Sequence, residues 1–305
     1  MTVRIGIIGY GKIAVDQHVP AIAATPGLAW VAAVSRSIAP IDGIATYTDH
    51  RAMLAAGGVD AVAVCTPTQY HYAITRDCLD AGLPVLLEKP PTATTAAFEA
   101  LIAHAFERRI LLFAAWHSRF AAGVEGARAA LAGRTVTAID IAWHEDVRRW
   151  HPGQQWIWAA GGLGVFDPGV NALSIATHIV AQPLILDGAE LDFPAGRDAP
   201  IAARLRWEGL NGEVSFDWRP QLEDVRWTIR IASDGPEVLL TDGGATLSIG
   251  GNPVPVAPLI EYHGVYRRFA ELLTSGTSDA DPTPLRVVAD AFLIGKRNEV
   301  AAFAD

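Results

Sequence analysis

Five short apolar runs in the first 118 residues constrain the fold more than any other feature of the chain. They cover residues 3–8, 28–34, 61–65, 84–87 and 110–115. Runs this short and continuous suit strands buried on both faces. Between them lie longer, Ala-rich stretches with helical spacing, such as 70–81 and 95–108. Thr94 or Thr95 offers an N-cap for the second stretch, with Glu99 in its early turns. Regular strand–helix alternation predicts an α/β unit with a parallel, doubly wound sheet and right-handed crossovers.

The pattern changes after Phe120. A helix is expected over 124–131 and a strand over 136–144, followed by a Trp- and Gly-rich stretch over 143–169 and a helix over 171–180. Alternating runs follow at 202–207, 212–218, 226–232, 237–240 and 245–249. They are separated by turn signals such as Asn211-Gly212, Asp234-Gly235 and Asp242-Gly243. That predicts an α+β unit with a mostly antiparallel open sheet. Helices are expected near 263–273 and 285–300. With 305 residues the chain is long enough for two domains. The expected division is 1–118 and 119–305, with the 285–300 helix packing back on the first domain.

Composition excludes several classes of function. A formal net charge of −9 without a Lys/Arg block argues against nucleic acid and against an anionic membrane surface. No apolar run approaches the length of a membrane helix, and the apolar start is short and Gly-broken, so it reads as a first strand rather than a signal peptide. Two cysteines, Cys65 and Cys78, make no disulfide framework and have no metal-ligand spacing, which fits a reducing cytoplasm. No metal is expected.

The strongest local motif is Gly9-Tyr10-Gly11-Lys12-Ile13-Ala14, between an expected strand and an expected helix. That is the context of a dinucleotide fingerprint. Gly9 permits the tight turn, Gly11 lets the backbone approach a pyrophosphate, and Ala14 allows close helix–strand packing. The helix N-terminus, entered through Lys12 and Ile13, offers free N–H groups to the phosphates. The second run ends in Val34-Ser35-Arg36-Ser37, without the carboxylate that usually accepts from an NAD ribose. Ser35 and Ser37 donate hydrogen bonds, and Arg36 pairs with a 2′-phosphate. The expected cofactor is NADP, with NAD as the alternative. Two more motifs end strands on the cofactor side: Cys65-Thr66-Pro67, with His71 in the next helix, and Glu88-Lys89-Pro90.

The order of these motifs, followed by Gly161-Gly162-Leu163-Gly164-Val165-Phe166-Asp167-Pro168-Gly169-Val170-Asn171, resembles the glucose–fructose oxidoreductase/inositol dehydrogenase/MocA (Gfo/Idh/MocA) family along essentially the whole chain. The stretches 116–119, 145–158 and 161–175 are similar to its sugar 1-dehydrogenases for L-arabinose and D-galactose. The resemblance implies a Rossmann domain, an open-sheet domain, NAD(P) and oxidation of sugar or cyclitol carbinols. Such proteins often pair through the C-terminal sheet, which implies a homodimer. One departure matters: the wider family places Asp and His four residues apart at the active-site helix, whereas here Asp167 is followed by Asn171. Asn is no general base, so a His-based mechanism does not carry over.

The resemblance implies oxidation of an aldopyranose C1 hydroxyl to the lactone, which needs a base for the hydroxyl proton. Asp167 and Lys89 are the candidates. Asp167 is favoured as base with Lys89 as electrostatic partner, and the reverse stays open. Asn171 is expected to hydrogen-bond sugar hydroxyls, and Glu145, His151 and His117 to hold further hydroxyls. Trp150, Trp156 and Trp158 offer either flat apolar faces to the sugar or ordinary core and interface packing, the second being favoured for any single Trp. The competing readings are another carbinol dehydrogenase of the inositol or dihydrodiol type, and an NADP-sensing protein without turnover.

Overall fold

The computed structural model describes residues 2–150, 152–220 and 225–303. The chain forms two compact units: residues 1–117 with 261–282, and residues 118–260 with 283–305.

Among the described residues, the sheet of the first unit has six strands: β1 (Val3–Ile8), β2 (Leu28–Val34), β3 (Ala45–Tyr47), β4 (Ala61–Val64), β5 (Val85–Glu88) and β6 (Leu112–Ala115). Their order is β3-β2-β1-β4-β5-β6, and every pairing is parallel. The order reverses direction between β1 and β4, the topological switch point at which open α/β sheets bind ligands. The connecting helices are α1 (Val19–Ala24), α2 (His50–Ala56), α3 (His71–Asp80) and α4 (Thr95–Arg108). Thr94 does cap α4, its hydroxyl accepting from the Ala97 N–H. The strands are mostly apolar because helices cover both faces: β4, β5 and β6 are buried at every residue, and the one charged side chain among those three is Glu88 at the end of β5.

The second unit is built on a nine-stranded sheet among the described residues. Its strands are β7 (Val136–His144), β8 (Leu186–Pro194), β9 (Ala202–Trp207), β10 (Val214–Asp217), β11 (Arg226–Ser233), β12 (Val238–Thr241), β13 (Thr246–Ile249), β14 (Asn252–Val254) and β15 (Lys296–Val300). The order is β14-β13-β12-β11-β7-β10-β9-β8-β15. Two pairings, β7 with β10 and β8 with β15, are parallel and the rest antiparallel. Helices α5 (Val124–Leu131), α6 (Val147–Trp150) and α7 (Phe166–Ile179) precede the main run of strands.

The chain then returns to the first unit. Helix α8 (Glu261–Ser275) packs against α1, Phe269 stacks on Phe113 with centroids 6.2 Å apart, and Asp279 bridges to the β6 edge through Leu112 and Ala114. Helix α9 (Thr283–Ile294) belongs to the second unit, where it packs on α7 and β8.

Two expectations are corrected here. The 285–300 segment is not one helix and does not join the first unit. Its helix ends at Ile294, and Lys296–Val300 forms edge strand β15 along β8. A Cβ on Gly295 would stand 2.3 Å from the Ala291 carbonyl oxygen, so the chain turns there on the one residue without a side chain. The segment that returns to the first unit is 261–282. Secondly, α7 starts at Phe166 rather than 171, because Pro168 lies in the first turn, where its missing N–H has no helical partner to lose. Strands β3, β8 and β14 and helix α2 were not foreseen. No helix among the described residues is long and apolar enough to cross a membrane.

Candidate active site

The glycine turn follows β1 directly. Gly9 has a φ of +94°, and a Cβ there would lie 2.5 Å from the Thr66 nitrogen and 2.6 Å from the Cys65 carbonyl carbon. Both the dihedral and the close approach of the loop after β4 therefore demand glycine. The N–H groups of Gly9 and Tyr10 both donate to the Val34 carbonyl at 2.9 Å, tying the turn to the end of β2. A Cβ on Gly11 would meet nothing within 4 Å, so one side of the loop is open. The helix then begins at Lys12, passes through a π-turn over Ala14–His18, and continues as α1. Ala14 is fully buried, while Lys12 and Ile13 are exposed, with Lys12 paired to Asp16. Ser35 donates its N–H to Tyr47, and Arg36 and Ser37 are exposed beyond the end of β2.

The loops after β4 and β5 are stitched together by His71. One ring nitrogen lies 2.6 Å from the Thr66 carbonyl oxygen, and the other 3.1 and 3.2 Å from those of Pro90 and Pro91. Burial pushes the His71 pKa down. Pro67 is exposed at the start of a 3₁₀ turn, and the Thr66 hydroxyl is buried with no hydrogen-bond partner. The open side of Gly11 and that orphaned hydroxyl both fit a dinucleotide lying against these loops.

At the end of β5 the Glu88 carboxylate turns inward. Its Oε1 accepts from the Tyr262 hydroxyl at 2.7 Å and from His18 Nε2 at 2.9 Å, and its Oε2 accepts from the Lys89 N–H at 2.8 Å. Burial alone would raise its pKa, but His18, His117 and Tyr262 together hold it at about 2. Lys89 is half-buried, and the peptide bond to Pro90 is cis. After β6, His117 Nδ1 lies 2.5 Å from Glu261 Oε2, and the ring stacks on Tyr262 at 5.4 Å. Glu261 thereby orients the His117 ring.

In the second unit Asp167 lies in the first turn of α7, 6% exposed, and Asn171 follows one turn later on the same face, half-buried. Glu145, at the end of β7, is buried, and its two oxygens accept the indole N–H groups of Trp218 (3.3 Å) and Trp227 (3.1 Å). Trp158 is not an open sugar platform: it is buried against Trp218, Phe303 and the Arg197 guanidinium. Trp156 is partly exposed. His151 and the side chain of Trp150 lie outside the described residues.

Away from these residues, His104 pairs with Asp80 and His178 with Glu125. Sequence reasoning missed His18, Tyr262, Tyr266, Glu261, Trp218 and Trp227. The Tyr262/Tyr266 spacing, one helical turn, was the only signal for any of them.

A parallel sheet of this order, with a glycine turn at the switch point, is the architecture of a dinucleotide-binding domain, and the matches to known proteins make the chain an oxidoreductase. Residues 3–115 match the family model described as an oxidoreductase family with an NAD-binding Rossmann fold. The chain is 43% identical to a galactose 1-dehydrogenase of Pseudomonas fluorescens over 99% of both chains. A crystal structure of D-galactose-1-dehydrogenase from Rhizobium etli superposes with a TM-score of 0.93 at 47% identity, covering 99% of this chain and 98% of that one. A 3-ketoreductase from Actinomadura kijaniata, solved with NADP, shares the fold at a TM-score of 0.84 and 20% identity, covering 98% of this chain and all of that one. The chain belongs to the Gfo/Idh/MocA oxidoreductase family.

Proposed function

We propose that the protein is an NADP-preferring aldose 1-dehydrogenase, oxidising the anomeric C1 hydroxyl of D-galactose, L-arabinose or D-fucose to the lactone. The observation that carries this reading is the full-length identity to a galactose 1-dehydrogenase. NADP preference is supported by Ser35, Arg36 and Ser37, which stand beyond β2 where an NAD-specific chain would carry a carboxylate. NAD is the slower alternative. The first unit would hold the nucleotide through Gly9, Gly11, Lys12, Ile13 and the loops carrying Cys65, Thr66, Pro67 and His71. When bound, the nicotinamide supplies a hydride acceptor for C1.

The remaining chemistry falls to side chains. Asp167 takes the C1 hydroxyl proton, and Lys89 stabilises the negative charge growing on that oxygen. Asn171 donates to one sugar hydroxyl and accepts from another. Glu145, oriented by two indoles, accepts from further hydroxyls. His117, Trp150 and His151 complete the sugar contacts. A homodimer through the nine-stranded sheet and a cytoplasmic location complete the reading.

The test mixes purified protein with NADP or NAD and a panel of L-arabinose, D-galactose, D-fucose, D-xylose, D-glucose and myo-inositol, following reduced-nicotinamide absorbance. Fast turnover of the first three with NADP is expected. Turnover of myo-inositol alone, or cofactor binding without turnover, overturns the proposal. A monomer mass in sedimentation overturns the dimer.

A further inference from the structure

His18 has no part in the chemistry so far, yet it is completely buried beside the candidate site. It sits at the end of the π-turn in the first helix, a distortion that recurs at functional positions. Nε2 faces Glu88 Oε1 at 2.9 Å, and Nδ1 faces the Tyr266 hydroxyl at 2.7 Å. Cys65 Sγ lies 3.5 Å from Nε2.

The directions of these hydrogen bonds follow from charge. Glu88, ionised, only accepts, so His18 donates to it through Nε2–H. The other ring nitrogen, Nδ1, shares a hydrogen bond with the buried Tyr266 hydroxyl. The chain runs Tyr266 to His18 to Glu88, and the far oxygen of Glu88 holds the Lys89 N–H at 2.8 Å. Tyr262, one turn before Tyr266 on α8, donates to the same Glu88 oxygen as His18. Two elements distant in sequence, the first helix and α8, thus converge on one carboxylate, and that carboxylate grips the backbone of the residue proposed to stabilise the developing alkoxide.

We propose that His18 is a positioning residue for this reaction: through Glu88 it holds the Lys89 backbone in the one place from which the lysine serves C1 oxidation. The inference rests on the aldose dehydrogenase reading above. It also gives the return of α8 to the first unit a functional reason, since α8 supplies both tyrosines.

Two substitutions of similar polarity separate positioning from packing. His18→Gln places an amide nitrogen where Nε2 stood and still reaches Glu88. His18→Asn reaches only as far as Nδ1 and leaves Glu88 without that donor. With D-galactose and NADP, His18→Asn is expected to lower kcat by about 10- to 100-fold, the scale of a small misplacement of a reacting group. KM for galactose and Kd for NADP should stay near wild type. The primary deuterium isotope effect on kcat with D-[1-²H]galactose should rise as hydride transfer becomes limiting. His18→Gln should restore most of kcat.

Equal losses in both variants, or losses without a rise in the isotope effect, would mean a packing role and overturn the proposal. Wild-type kcat in both overturns it as well. Should both variants fail to fold, Tyr266→Phe removes one oxygen from the same chain. A kcat reduced with a raised isotope effect supports the proposal, and an unchanged kcat overturns it. A wild-type protein silent on every aldose overturns the functional reading, and this inference with it. That outcome is distinct from an active wild type with active variants.

Discussion

At Gly9 a backbone dihedral and a steric limit coincide. Gly9→Ala must find room for a methyl 2.5 Å from a backbone nitrogen at a φ of +94°. The expected cost is about 1–3 kcal/mol of stability, with weakened NADP binding, read by thermal unfolding and cofactor fluorescence. Arg36 belongs to the proposed NADP preference. Arg36→Ala is expected to remove about 2 kcal/mol of charge-assisted binding, or about 30-fold in KM for NADP, with little change for NAD. Steady-state kinetics with both cofactors checks it. Lys89→Ala should lower kcat by about 100- to 10,000-fold while NADP still binds. A turnover rate within a few-fold of wild type would remove Lys89 from the mechanism.

Elements were read well where the signal was local. Strand β7 and helices α4 and α5 fall on their expected residues, because period-2 and helical spacing were clear and caps or turns bounded them. The start of α7 was missed because Pro168 and Gly169 look like breakers when read without the rest of the helix. Strand β15 was read as helix because its five residues continue a helical stretch, and pairing with β8 decides otherwise. Helix α8 was foreseen as a helix but not as part of the first unit, where Phe269 is fully buried against Phe113. Phe269→Ala is expected to cost about 3–5 kcal/mol, measured by denaturant unfolding. A cost below about 1 kcal/mol would mean that α8 contributes little to that core.

For the whole molecule the clearest prediction concerns acid. Glu88 titrates at about 2 in the folded chain, against an ordinary 4.5 when unfolded. Between those values the unfolded state binds the extra proton, so stability rises with pH through that window. The contribution is fully present above about pH 4.5 and is lost as pH falls toward 2. Unfolding midpoints measured from pH 5 to pH 3 should therefore fall less steeply in Glu88→Gln than in wild type. A parallel pair of curves would mean that Glu88 is not held ionised. Cys78 is pushed up to about 12 by burial, so it should not react with a thiol reagent at neutral pH until the chain unfolds.

The sequence by itself determined the parallel first sheet, the glycine turn after β1, the carboxylate-free strand end at 34–37 and the Asp167–Asn171 pair on one helix face. Each is written in residues that are neighbours in the chain, where periodicity, glycine placement and helical spacing act over a few positions. Only the tertiary structure decided that residues 261–282 complete the first unit, that two indoles hold Glu145, and that His18 and Tyr262 converge on Glu88 with Tyr266 behind His18. His18 is separated from Glu88 by 70 residues and from Tyr266 by 248, and Tyr262 from Glu88 by 174. No local pattern records contacts over such distances. They form because a buried carboxylate is stable only where its hydrogen-bond donors are buried with it.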